Sequence, residues 1–396
     1  MGLNLEEQIK EASETCFLKV VQIRRHLHAN PELSFKEYNT SAFVGARLDD
    51  LNIPWEIKAE TGIVALLQGN QAGKVVALRA DIDALPIQEK NATEYKSTVP
   101  GVMHACGHDV HTASLLGTAT ILSGLRSQFN GTVKLIFQPG EEKVPGGASL
   151  MIAQGVLKNP VPMAILGQHV LPQLETGKVG FRPGKYMASA DELYVTVRGK
   201  GGHGAMPNLN IDPVLIASHL IVALQQIVSR NANPKLPTVL SFGRVIADGA
   251  TNVIPDSVYL EGTFRTLDEK WRAEALAKMK KLAEGLAESM GGTCEFNILR
   301  GYPFLVNDEA LTHEAKQHAI NYLGADNVVD LDIWMAAEDF AFYTQQTPAC
   351  FYRLGTRNEA KGIISGVHTP TFDVDEQALK IGPGFMAYLA VKELGN

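Results

Sequence analysis

The chain has 396 residues, of which 45% are hydrophobic and 20% charged, with a formal net charge of -7. That length exceeds what one core comfortably serves, so two domains are expected, and the composition is that of a folded protein rather than a disordered one. The acidic balance and the lack of any Lys/Arg run or aromatic-basic stripe exclude a nucleic-acid binder. The start, Met1-Gly2-Leu3-Asn4-Leu5-Glu6-Glu7, has no basic segment leading into an apolar one, and no unbroken apolar stretch suits a bilayer span. A membrane role is therefore not expected, and a cytoplasmic location is. Cys16, Cys106, Cys294 and Cys350 are widely spaced with no CxxC pair, which reads as reduced thiols rather than a disulfide framework.

Along the chain, apolar strand-like runs alternate with helix-like ones. Val75-Val76-Ala77-Leu78 reads as a buried strand ending at Asp81, and Val133-Lys134-Leu135-Ile136-Phe137 as another ending just before Glu141. Ala164-Ile165-Leu166 reads as a third, ending before His169. Residues 112–125 and 147–154 carry helical spacing. This pattern predicts an α/β fold with a mostly parallel sheet and helices on both faces. In such sheets functional groups gather beyond the carboxyl ends of strands, where Asp81, Glu141, Glu142 and His169 all fall.

After Gly184 the pattern changes. Leu193-Tyr194-Val195-Thr196-Val197 alternates, Asp212-Pro213 opens a helix to about Ser229, and strand-like runs follow near 238–245 and 257–264. A long amphipathic helix over 268–290 stops at Gly291-Gly292, and a strand over 294–299 closes the set. The order strand-helix-strand-strand-helix-strand predicts a ferredoxin-like domain inserted at 187–300. Residues 1–186 and 301–396 then form the catalytic domain, resumed by a strand at 350–354 and closed by a helix from about Asp375.

The chemistry is concentrated in short strings: Met103-His104-Ala105-Cys106-Gly107-His108-Asp109, Gln138-Pro139-Gly140-Glu141-Glu142, Gly167-Gln168-His169 and Gly366-Val367-His368-Thr369. Cys106, His108, Glu142, His169 and His368 supply one thiolate, one carboxylate and three imidazoles. Five donors are too many for one four-coordinate zinc that must also hold water, but they suit two divalent ions with a bridging ligand, for which Cys106 is a candidate. The thiolate and imidazoles favour Zn, while the carboxylate admits Mn, Co or Ni. Of the adjacent Glu141 and Glu142, one can ligate while the other serves as general base, and the spacing leaves open which does which.

Together with Arg24-Arg25-His26-Leu27-His28-Ala29-Asn30-Pro31-Glu32 and Arg79-Ala80-Asp81-Ile82-Asp83-Ala84-Leu85-Pro86, these strings resemble the hippurate hydrolase and indoleacetyl-amino-acid hydrolase branch of the aminoacylase/carboxypeptidase metallohydrolases. The resemblance implies Glu141 as general base and Cys106, His108, Glu142, His169 and His368 as ligands of two metals. Where wider members of the group carry His-x-Asp, this chain has Asp81-Ile82-Asp83, so a metal histidine is absent there, and Asp83 matches the residue that orients a ligand. The resemblance also implies that His203, in Gly201-Gly202-His203-Gly204, donates to the scissile carbonyl, often across a homodimer formed by the inserted lid. Asn252, in Thr251-Asn252-Val253-Ile254-Pro255, would meet the carboxylate of the substrate, and Arg353 is a further candidate for that contact. Glu338-Asp339 is read as a cap of the following helix. The implied activity is hydrolysis of N-acyl amino acids. A dipeptidase or carboxypeptidase of the same family, or a non-catalytic metal-binding relative, are the alternatives.

Overall fold

A computed structural model of the chain describes residues 3–395, so Met1 and Gly2, read above for a targeting signal, lie outside it. The chain divides into two compact units. One comprises the chain up to Gly184, Val306–Ile333 and everything from Asp339 onward; the other is Lys185–Leu305 with Trp334–Glu338. The sequence reading places the joins at 186/187 and 300/301 and gives all of 301–396 to the first unit, whereas Trp334–Glu338 returns to the second. Backbone pairing accounts for the return: Trp334 pairs with Met187, and the Ala188 N–H reaches the Trp334 and Ala336 carbonyls at 3.3 and 3.0 Å.

The first unit is built on an eight-stranded sheet in the order Trp55–Lys58, Gly62–Gln68, Thr132–Gln138, Val75–Asp81, Ala164–Glu175, Ala349–Arg357, Val179–Phe181, Val328–Asp330. Its centre is parallel: Val75–Asp81 runs with both Thr132–Gln138 and Ala164–Glu175, which runs with Ala349–Arg357. The central strands are buried almost end to end, which is why they read as continuous apolar runs rather than alternating ones. Against them lie the helices His108–Gly124 and Gly382–Glu393, both buried over most of their length.

The long helix Leu5–Ala29, for which the apolar runs gave no expectation, packs against His108–Gly124. Its start is fixed by a capping box, in which Asn4 Oδ1 accepts from the Glu7 N–H at 3.0 Å and Glu7 Oε2 accepts from the Asn4 N–H at 2.8 Å. Two other boundaries differ from expectation. The strand carrying His169 does not stop short of it but continues to Glu175, because Val170 and Leu171 extend the ladder with Leu354 and Gly355. The final helix begins at Gly382, with Asp375 instead capping a short 3-10 turn, Glu376–Lys380.

The second unit has a four-stranded antiparallel sheet in the order Thr238–Ile246, Ser257–Thr266, Asp191–Arg198, Thr293–Arg300. Leu193, Val195 and Val197 point to its core while Glu192, Tyr194 and Thr196 lie on the other face, the period-2 alternation of a sheet covered on one side. The covering helices are Pro213–Gln226, capped by Asp212 Oδ1 at 2.8 Å from the Val214 N–H, and Glu269–Ser289, capped by Asp268. By length and hydropathy alone, 1.3 on average, the run Pro213–Asn231 reaches the level of a membrane span, although Ser218, His219, Gln225, Gln226 and Arg230 interrupt its apolar character. Its buried side, Ile216, Ala217, Leu220, Leu224 and Ile227, forms part of this unit's core.

Candidate metal centre

The turn after Met103 puts two donors side by side. Gly107, at φ +83°, is the residue that lets this happen: a Cβ there would stand 2.5 Å from Val170 Cγ2, so no other residue fits without a shift. His108 then opens its helix four residues earlier than the apolar spacing suggests, with Cys106 just before it. The Cys106 Sγ lies 3.5 Å from His169 Nε2. His169 turns that nitrogen inward because its Nδ1 is 2.7 Å from the Val170 carbonyl, the contact expected of a protonated Nδ1.

His108 is oriented in the same manner. Its Nδ1 sits 2.8 Å from the Asp83 carbonyl and 3.2 Å from Asp83 Oδ1, while its buried Nε2 makes no hydrogen bond. Asp83 Oδ2 in turn accepts from the Ser34 hydroxyl at 2.7 Å and from the Glu142 N–H at 3.0 Å. One carboxylate therefore fixes His108, a candidate ligand, and the Glu141-Glu142 turn together, the pattern of support that ligand histidines ordinarily receive. From the far end of the chain, His368 places Nε2 3.2 Å from Glu142 Oε1. It holds a left-handed φ of +60°, pinned by its own N–H on the Ala105 carbonyl at 2.7 Å.

All five expected ligands and Glu141 thus belong to the first unit. The donor atoms of the five expected ligands form two triads, Cys106–His108–His169 and Cys106–Glu142–His368, each with all atoms within 4.8 Å of one another. The triads share Cys106, the residue singled out as a bridge. The charge balance fits cations as well. Burial, then Glu142 and Glu141, push the Cys106 thiol well above its ordinary pKa. His108 rises to about 10: burial opposes its charge, but Asp81, Asp83 and Glu142 outweigh it. Burial and Arg353 hold His169 well below the usual imidazole range, so it stays neutral and able to ligate. A cluster that raises the Cys106 thiol and stabilises an imidazolium is short of positive charge, which a divalent ion would supply.

The positions around this centre were less visible in the sequence. Asp81 belongs to a buried network, taking Arg79 Nη1 at 2.6 Å and His111 Nδ1 at 2.6 Å, and its carboxylate also groups with His108 and His111 as donors. His111 Nε2 then accepts the Val170 N–H at 2.9 Å, beside His169. Asp339 does not cap the short helix Ala341–Thr344. Its carboxylate instead receives Arg79 Nη2 at 2.7 Å, Gln138 Nε2 at 2.8 Å and the Ala148 N–H at 2.9 Å, and its own N–H points at Glu141 Oε1 from 3.3 Å. The Arg24-to-Glu32 string also acquires a purpose. Arg24 Nε and His28 Nδ1 both reach Asp109 Oδ2 at 2.8 Å, and Arg24 Nη2 reaches Asp373 at 2.9 Å, tying the first helix to the Cys-Gly-His turn and the His368 loop. The placement of Arg24 and His28 one helical turn apart was the available signal.

Arg353, expected to meet a substrate carboxylate, is wholly buried, its guanidinium 5.0 Å from the Phe351 ring and paired in register with His169. That position supports the ligand strand and offers a substrate no surface. His203 and Asn252 lie in the second unit. Both are exposed, His203 on the strand Gly202–His203 and Asn252 just before its partner Val253–Ile254, with the Gly204 N–H donating to the Asn252 carbonyl at 2.9 Å. The His203 Nδ1 accepts from the Ala205 N–H at 3.1 Å, leaving Nε2 without a partner among the described residues.

Comparison with known proteins adds three findings. The profile of peptidase family M20/M25/M40 matches residues 77–392. Thermostable carboxypeptidase 2 of Saccharolobus solfataricus is 40% identical over 394 residues, covering 98% of this chain and 99% of its own, and an N-acyl-L-amino acid amidohydrolase of Geobacillus stearothermophilus is 44% identical over 303 residues, 76% and 81% of the two chains. Among solved structures, the Bacillus subtilis YXEP protein, described as a dinuclear metal binding peptidase, matches with a TM-score of 0.82 at 36% identity, over 96% of this chain and 99% of that one.

Proposed function

Because the chain belongs to peptidase family M20/M25/M40, a family of amide-bond hydrolases, we propose that it is a two-metal amidohydrolase splitting N-acyl amino acids into a carboxylic acid and a free amino acid. The observation that carries this reading is the pair of donor triads meeting at Cys106, with Glu141 beside them. Two divalent ions, Zn in the first instance, would be held by Cys106, His108, Glu142, His169 and His368, and when bound would polarise the scissile carbonyl and acidify water.

The residues of the chain do the rest. Glu141 takes the proton of the attacking water and passes it to the departing amine nitrogen, a transfer that contributes on the order of 10²–10⁴ in rate. Only 7% of Glu141 is exposed, so its carboxylate is largely shielded from bulk water. His203 Nε2 donates to the carbonyl oxygen as charge develops there, and the Asn252 amide meets the substrate carboxylate. Their exposure on adjoining turns of the second unit supports both roles. We further read that unit as a ferredoxin-like lid that pairs two copies of the chain. The outer strand Thr238–Ile246 and the exposed Leu215 and Val222 of the helix Pro213–Gln226 supply the surface. A cytoplasmic setting agrees with four free thiols. The likeness to a carboxypeptidase favours one second reading, in which the acyl group is itself an aminoacyl residue.

The test is a panel of N-acetyl, N-benzoyl and indoleacetyl amino acids with dipeptides, incubated with metal-loaded wild type and Glu141→Gln. Metal-dependent cleavage of the N-acyl compounds, lost at least about 10²-fold in the variant, is expected. Cleavage of dipeptides alone establishes the second reading, and equal activity in the variant overturns the role of Glu141.

A further inference from the structure

Glu37 is a fully buried carboxylate whose hydrogen-bond partners are all neutral. It precedes the helix Tyr38–Asp50 yet makes no capping bond to it. Its oxygens are turned elsewhere: Oε1 accepts the Phe35 N–H and the Gly140 N–H, both at 2.9 Å, and Oε2 accepts the Thr61 hydroxyl at 2.7 Å. Burial and the nearby Asp83 make the charge costly and raise its carboxyl above the ordinary range, a cost those donors offset only in part.

Gly140 is the residue before Glu141, and its turn needs this grip. It sits at φ +58°, and the space a Cβ would take is filled by the Phe35 ring, whose Cε1 would be 2.3 Å away. Phe35 is itself held at φ +63°. One residue earlier, the Ser34 hydroxyl holds Asp83, which orients His108 and receives the Glu142 N–H. The stretch Ser34-Phe35-Lys36-Glu37 is therefore a bracket behind the Glu141-Glu142 turn, gripping it through Gly140 on one side and through Asp83 on the other.

We propose that Glu37 is a positioning residue for hydrolysis, holding the Gly140 N–H so that the Glu141 carboxylate meets the attacking water and the Glu142 carboxylate meets its metal. This rests on the roles given to Glu141 and Glu142 above. Displacing a reacting group by about 1 Å can cost 10²-fold in rate. Glu37→Met keeps the shape and removes the acceptor, whereas Glu37→Gln keeps an oxygen for the Gly140 N–H. Thr61→Val removes the hydroxyl on the other oxygen and leaves Gly140 gripped.

The experiment loads each purified protein with Co²⁺, records the visible spectrum and the affinity by titration, and then measures kcat and KM on the best substrate of the panel. Glu37→Met is expected to lower kcat about 10²-fold with KM within about threefold, to shift the cobalt spectrum and to weaken cobalt binding. Glu37→Gln and Thr61→Val should both stay within about tenfold of wild type in kcat. Should Glu37→Met fail to fold, Glu37→Asp, which withdraws the acceptor by one methylene, takes its place with the same expectation. A wild-type cobalt spectrum and kcat in Glu37→Met, or an equal loss in Thr61→Val, overturns the proposal. The cobalt measurements need no substrate, so a wild type inactive on the whole panel would refute the proposed reaction, while the spectra and affinities would still support or overturn the role of Glu37.

Discussion

Replacing Glu393 by Gln should make the protein more stable, and only above a defined pH. Glu393 ends the C-terminal helix with 8% of its surface exposed, and its Oε1 has no hydrogen-bond partner among the described residues. Burial, reinforced by the like charge of Glu314 and only partly offset by Lys74, pushes its carboxyl from the ordinary 4.5 up to about 7. Between those values the folded chain keeps a proton that the unfolded chain has released, so stability falls as pH rises through that window, and the full cost is present above it. The gap corresponds to about 3 kcal/mol at 1.36 kcal/mol per pH unit. Gln has the same shape and no charge, but its amide also needs a partner, so a gain of about 1–3 kcal/mol at pH 8 is expected. Urea unfolding of the metal-free protein at pH 4.5, 6 and 8 measures it. A gain that grows from near zero at pH 4.5 to its full size at pH 8, and that shrinks in a Glu314→Gln background, would support the reasoning. An equal gain at all three values, or none at pH 8, would refute it.

Three further outcomes follow from the centre. Asp83→Asn removes the charge that orients His108 and receives the Glu142 N–H, and metal affinity measured by competition with a chelator should fall about 10–100-fold; unchanged affinity would show that Asp83 is incidental. Arg24→Met strips Asp109 and Asp373 of a wholly buried cation and should cost about 3–5 kcal/mol in urea unfolding, whereas a loss below about 1 kcal/mol would mean that His28 alone suffices. Gly107→Ala must place a Cβ against Val170 in a left-handed turn, so a loss of about 2–4 kcal/mol is expected from thermal melts, and a variant as stable as wild type would show that the turn has room to relax.

The candidate metal ligands were legible because they stand in short strings with turn signals of their own. Cys106 and His108 flank a glycine, Glu141 and Glu142 follow Pro139-Gly140, and both strings lie past the ends of apolar runs. The aspartate at position 81, where wider members of the family carry histidine, was visible too. Its surroundings were not, because they depend on Arg79 facing Asp339 and on His111 reaching Asp81 across a helix and a strand. The partners of Glu37, Arg24 and His28 were hidden for the same reason: buried charges look like surface charges until the partner is known. Arg353 misled in the opposite direction, since a cation at a strand end suggests a ligand for an anion, and only the fold shows that its side chain is wholly buried. In the second unit the alternation of Leu193, Val195 and Val197 was a local signal and held, while the return of Trp334–Glu338 came from backbone pairing that no side-chain pattern encodes.

The bond from the His368 N–H to the Ala105 carbonyl has a bearing on how the protein is made. Cys106, His108, Glu142 and His169 leave the ribosome long before His368 does, with the whole second unit synthesised in between. One donor triad can therefore form early in synthesis, whereas the other waits until the last part of the chain has emerged and closed a very long loop. Metal uptake by a nascent chain would proceed in two stages, and the second ion would be retained only once that closure is achieved. If His368 holds an ion as proposed, occupancy there would report whether an individual molecule has finished folding, and a ribosome-bound chain stalled before residue 368 would be half-loaded.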